Sequence, residues 1–159
     1  MKEEDMILEV GNMAPDFEAD IDGDETIRLS DFRGKKVVIY FYPKDNTPGC
    51  TKESCEFRDT YADFIAEDCI ILGVSRDNVR SHDNFRSNYD LPFRLVSDLD
   101  GGICESYSVW VQKKNYGREY MGIERSTFLI DSDGVIRSIW RNVRVNGHVD
   151  IVLESLRAL

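Results

Sequence analysis

The sequence has 159 residues, 42% of them apolar and 31% charged, with a formal net charge of −10. That is enough chain for one sizeable core, and the composition belongs to a folded domain and not to a disordered one. An acidic chain with scattered Lys and Arg repels nucleic acid and anionic lipid, and no apolar run is long enough to span a bilayer; Met1–Asp5 lack the basic start and apolar stretch of a secretory signal, so a cytoplasmic location is expected.

In chain order, the first thirty residues predict a β-hairpin turning at Asp22-Gly23. Lys36–Tyr42 is apolar after its first residue, the pattern of a strand covered on both faces. A loop with two prolines follows, Pro43–Gly49. Phe57, Tyr61, Phe64 and Ile65 then recur at helical spacing and predict one helix from about Thr51 to Glu67. Cys69–Ser75 reads as a second apolar strand, Val79–Asn88 as a polar helix, Leu95–Ser97 as a short strand and Gly102–Tyr107 as a short helix. Ser126–Ile130 and Val135–Arg141 flank Asp131-Ser132-Asp133-Gly134, a hairpin turn signal. Val149–Leu159 closes the chain as an amphipathic helix, with Val149, Val152, Leu153 and Leu156 on one face. This order implies an α/β fold in one domain over residues 1–159, a mixed central sheet with helices on both sides.

Four cysteines in a chain of this length with no signal do not suggest a secreted disulfide framework; in a reducing cytosol they are buried hydrophobes, metal ligands or redox catalysts. Cys50 stands out because it sits where the proline loop becomes a helix. Free N–H groups and the positive end of the helix dipole favour a thiolate there, and the thiolate is the nucleophile. Pro43 and Pro48 stiffen the loop, and Thr47, three residues earlier, is expected to face the sulfur across the turn. Cys55 lies five positions on. In a regular helix that puts the two Cα atoms about 8–9 Å apart, whereas a disulfide needs them within about 7 Å. If the two react, the first turns must unwind. The spacing does not fit a Cys-x-x-Cys site, a zinc site or the plant-type iron–sulfur run, whose third cysteine would stand where Arg58 is. Neither metal, haem nor flavin is expected. Cys69 and Cys104 read as structural, and Trp110 and Phe93 as core. His82 and His148 read as surface or capping residues, and Asp20, Asp22 and Asp24 as a solvated turn.

These residues also carry a likeness. Tyr40–Asp59, YFYPKDNTPGCTKESCEFRD, resembles the active-site segment of peroxiredoxins, in particular the bacterioferritin comigratory protein (peroxiredoxin Q) group. The likeness continues through LGVS, SHDNF and LPFRLVSDLDG, and resumes at YGREYMGIERSTFLIDSDGV. It implies a thioredoxin-like fold with an N-terminal β-hairpin extension, and a thiol peroxidase that reduces hydrogen peroxide and organic hydroperoxides. It makes Cys50 the peroxidatic cysteine and Cys55 the resolving one, with Cys104 as a possible competitor for the second role. Thr47 and Arg125 are implied to act on the sulfur and the peroxide; Pro43, Gly49 and Tyr42 are expected to line the substrate. Thioredoxin or a similar dithiol is the implied reductant, and the likeness leans towards a monomer or weak homodimer. A protein-dithiol oxidoreductase of the same fold class would carry Cys-x-x-Cys, which is absent. A regulatory thiol switch needs the same reactive cysteine and stays open on sequence.

Overall fold

The computed structural model describes residues 8–159, so the expectation drawn from Met1–Asp5 lies outside the described residues. The N-terminal hairpin forms as expected, with β1 (Glu18–Ile21) and β2 (Glu25–Arg28) in antiparallel register about Asp22-Gly23-Asp24. Asp22 is not a solvated turn residue. It is 2% exposed, accepts a hydrogen bond from the Leu95 amide at 2.8 Å, and pairs with Arg86 at 2.7 Å and Arg94 at 3.2 Å. A buried carboxylate is tolerated when paired and hydrogen-bonded in this way.

Then come β3 (Lys36–Phe41), α1 (Pro48–Asp59), α2 (Tyr61–Ala66), β4 (Cys69–Ser75), α3 (Val79–Tyr89), β5 (Arg94–Ser97) and α4 (Gly102–Ser106). They are followed by β6 (Trp110–Asn115), β7 (Arg118–Ile123), β8 (Ser126–Ile130), β9 (Ile136–Trp140) and α5 (His148–Arg157). Seven strands make one mixed sheet in the order β2-β1-β5-β4-β3-β8-β9, with β3, β4 and β5 parallel and the outer pairs antiparallel. Strand β3 shows why its sequence is apolar from Val37 on. Val37, Ile39 and Phe41 face a core layer that includes α4, while Val38 and Tyr40 face the layer built by α1, α2, α3 and α5. Among the described residues no helix is long and apolar enough to cross a membrane.

Two elements differ from expectation. The helix foreseen over Thr51–Glu67 is broken at Thr60, whose amide and hydroxyl both bond the Glu56 carbonyl, at 3.2 and 2.7 Å. Its φ of −107° and ψ of 7° end α1, and α2 restarts one residue later. Apolar spacing runs across the break, and only the back-bonding threonine marks it; Ile65, expected on the apolar face, is exposed. The β6–β7 hairpin was not foreseen. Its residues are mostly polar and half or fully exposed, so no alternating apolar pattern announces it.

Candidate active site

Where β3 ends, the chain turns through Tyr42–Thr47 before α1 begins. Pro48 occupies the first helical position, where its missing N–H costs nothing and its fixed φ suits the helix. The first helical bond runs from the Thr51 amide to the Thr47 carbonyl, at 2.8 Å. The amides of Gly49 and Cys50 are therefore among the free donors of the helix start. Cys50 is 1% exposed and packs in the same layer as Tyr40 and Phe57. Thr47 does not bond the sulfur in this state; its hydroxyl donates to the Lys44 carbonyl at 2.8 Å.

Arg125 enters from the link between β7 and β8. Its backbone is tied down by the Val143 amide, which donates to the Arg125 carbonyl at 2.9 Å. Nη2 lies 3.3 Å from Cys50 Sγ, and Nη1 lies 2.7 Å from Glu53 Oε1. A Cβ on Gly49 would sit 3.3 Å from Nη2, so the glycine leaves room for the guanidinium. Glu53 was not singled out from sequence. It stands one turn after Cys50 on the same helix face, fully buried, with Oε2 lacking a hydrogen-bond partner among the described residues. Burial pushes its carboxyl up to about 7, against the opposing pull of Arg125. The Cys-x-x-Glu spacing was a signal, but charged side chains are so seldom buried that an exposed glutamate was the natural reading.

Cys55 is half-buried in the same helix, and burial raises its thiol above the ordinary range. Cys69 is buried at the start of β4, with its thiol pushed up to about 12 by burial. Cys104 is buried in the opposite core layer from Cys50; burial, with Asp98 beside it, raises its thiol strongly. Phe93 is core, as expected. Trp110 is half-buried, packs on the core and carries the Arg76 guanidinium 4.5 Å above its ring. Tyr42 is fully buried and donates to Asp45 Oδ1 at 2.6 Å, so in this state it holds the loop and lines no open space. Pro43 borders a groove of about 450 Å³ with Lys44, Trp110, Lys113 and Met121.

Both histidines depart from expectation: neither is on the surface. His82 is fully buried between Asp45 and the Val96 carbonyl. His148 is buried with Nε2 2.8 Å from Thr127 Oγ1, and burial plus the charge of Arg125 bring it down to about 4. Their polar partners lie far away in sequence, which is why the burial was not foreseen.

The AhpC/TSA family profile matches residues 10–139. The chain is 49% identical over 152 residues to peroxiredoxin Bcp of Bacillus subtilis, covering 96% of this chain and 97% of that one. The chain belongs to the AhpC/TSA family and is a peroxiredoxin. Solved peroxiredoxin structures superpose closely. A cysteine-to-serine mutant of Xylella fastidiosa PrxQ has a TM-score of 0.91 at 39% identity, covering 96% of this chain and 98% of that one. The bacterioferritin comigratory protein of Xanthomonas campestris has a TM-score of 0.88 at 43% identity, covering 97% and 98%. The fold is thus thioredoxin-like, as the likeness implied, and this peroxiredoxin is an oxidoreductase, a thiol peroxidase.

Proposed function

We propose that Cys50 is the nucleophile of this peroxidase and that Cys55 closes a disulfide with it. The Arg125 guanidinium 3.3 Å from Cys50 Sγ, at the start of α1, carries the reading. A cation and free helix amides stabilise negative charge on the sulfur. The thiolate attacks one peroxide oxygen and the O–O bond breaks. The other oxygen leaves as hydroxide or alkoxide, takes a proton and departs as water or alcohol, and the sulfur becomes a sulfenic acid. Thr47, its proton committed to the Lys44 carbonyl, offers lone pairs to the peroxide O–H. Arg125 and the helix amides face the oxygens, whose developing charge they stabilise.

Cys55 then condenses with the sulfenic acid, releasing water, and thioredoxin or a similar dithiol reduces the disulfide by exchange. Helix geometry requires α1 to unwind for this step. Substrates are hydrogen peroxide and organic hydroperoxides. The Xanthomonas relative is described for alkyl peroxide reduction, and the groove beside Pro43, with Trp110 and Met121 in its walls, has room for an apolar substituent. The setting is antioxidant defence in the cytosol, by a monomer or weak homodimer.

The test is mass-spectrometric mapping after stoichiometric peroxide. A Cys50–Cys55 disulfide is expected; both thiols still free would overturn the reading. Cys50→Ser is expected to abolish peroxide consumption, and Cys55→Ser to allow one turnover without recycling.

A further inference from the structure

The loop that presents Thr47 and Cys50 turns at Asn46, whose φ of 63° lies in the left-handed region that asparagine enters more readily than most non-glycine residues. The residue before it is held hard. Asp45 is 1% exposed at its side chain and accepts from the Tyr42 hydroxyl at 2.6 Å and the Ser81 hydroxyl at 2.8 Å. Its Oδ2 also lies 2.8 Å from His82 Nδ1, and its own amide donates to Asp77 Oδ2 at 2.8 Å.

His82, in the first turn of α3, is fully buried, and its Nε2 lies 2.9 Å from the Val96 carbonyl of β5. Both ring nitrogens thus face acceptors. A neutral imidazole has one N–H, so only a ring carrying two satisfies both partners. Burial opposes that charge, but the bond and charge of Asp45, the Val96 carbonyl and the charge of Asp77 outweigh it and hold His82 above its ordinary value. Asp45, Asp77 and His82 bring ligand-type atoms within 4.8 Å of one another. These atoms are already engaged: His82 bonds Asp45 and Val96, and Asp77 Oδ2 takes the Asp45 amide and the Ser75 hydroxyl. The cluster is a hydrogen-bonded clasp.

The clasp leads directly to the sulfur. Asp45 follows Lys44, whose carbonyl takes the Thr47 hydroxyl, and the Thr47 carbonyl takes the first helical bond of α1. We propose that His82 is a positioning residue for peroxide reduction: clamped between Asp45 and β5, it fixes the 45–47 turn and so the direction in which Thr47 and the helix amides meet a peroxide beside Cys50. The inference rests on reading Cys50 as the nucleophile.

The test compares two reactions of the reduced full-length protein. One is the second-order rate with hydrogen peroxide, which needs aligned donors. The other is the rate with iodoacetamide, which needs the sulfur but no aligned donors. His82→Gln is expected to slow the peroxide reaction about tenfold or more, the scale of a displaced catalytic group, while leaving the iodoacetamide rate within about twofold. Where His82→Gln does not fold, Ser81→Ala decides. It removes one of the bonds to Asp45 and is expected to slow the peroxide reaction about two- to fivefold, again without slowing iodoacetamide. A peroxide rate equal to the parent's, or an equal loss with both reagents, overturns the proposal. Cys50→Ser, run alongside, separates the two claims: peroxide consumption at the parent's level would instead remove Cys50 as the nucleophile.

Discussion

At the residue scale, Arg125 divides one positive charge between two partners, Cys50 Sγ at 3.3 Å and Glu53 Oε1 at 2.7 Å. Glu53 is the unusual member, since its second oxygen is buried without a partner among the described residues. Its carboxyl is raised from an ordinary 4.5 to about 7. The folded protein therefore keeps a proton that the unfolded chain has released over that window. The stability this proton contributes is complete below about pH 4.5 and is lost as pH rises through about 7. Glu53→Gln keeps an acceptor for Nη1 and removes the titration. Relative to the variant, the parent is expected to lose on the order of 2–3 kcal/mol between pH 5 and 8. Urea unfolding of both proteins across that range measures the difference, and parallel curves would remove Glu53 as its source. Sequence could place Cys50 at a helix start, because the end of a proline-stiffened loop is a local feature. It could not locate the state of Glu53, because that depends on Arg125, 72 residues away.

At the element scale, the proposed Cys50–Cys55 disulfide asks α1 to be both a platform and a hinge. It has 12 residues, a length at which isolated helices are marginal in water, so its tertiary contacts decide whether it stays wound. Those contacts include Phe57 stacked on Tyr40 at 4.7 Å, the hydrogen bond that Ser54 shares with the Tyr40 hydroxyl at 2.9 Å, the pairing of Glu53 with Arg125, Lys52 on Asn146, and Arg58 donating to the Tyr89 carbonyl at 2.8 Å. The break at Thr60 gives that unwinding a boundary, since α2 starts there and buries its own Phe64 in the core. Oxidation with one equivalent of peroxide is therefore expected to speed amide exchange across residues 48–59 by about tenfold or more, as local unfolding does, while β4 amides stay protected. Cys55→Ser is expected to abolish the change. Full protection of α1 in the oxidised protein would show that the disulfide forms elsewhere. Cys104, the competitor for the resolving role, lies across the sheet from Cys50 in the other core layer.

At the scale of the whole molecule, the central strands were legible because a parallel strand buried on both faces is a near-continuous apolar run, as β3 is after Lys36 and β4 is up to Ser75. The β6–β7 hairpin was not, since a polar, exposed ribbon has no periodic signature. Buried charges were misread for a third reason: they become acceptable only through partners that the fold brings from far along the chain. His82 finds Asp45 across 37 residues, and Asp22 finds Arg86 and Arg94 across 64 and 72. Asp22 ties the N-terminal hairpin to α3 and β5, at the edge of the sheet remote from Cys50. Removing it strands the Leu95 amide and leaves two guanidiniums without their anion, a loss softened because both arginines are about one-third exposed. Asp22→Ala is therefore expected to cost about 2 kcal/mol, lowering the thermal midpoint by roughly 4–8 °C. The peroxide rate at 25 °C should stay within about twofold of the parent's, since sites this far apart with no shared partner act independently. Calorimetry with a parallel rate measurement checks both halves. A normal midpoint with a collapsed rate would mean that the hairpin edge of the sheet is coupled to the Cys50 loop, and that α3, which carries both Arg86 and His82, transmits the coupling.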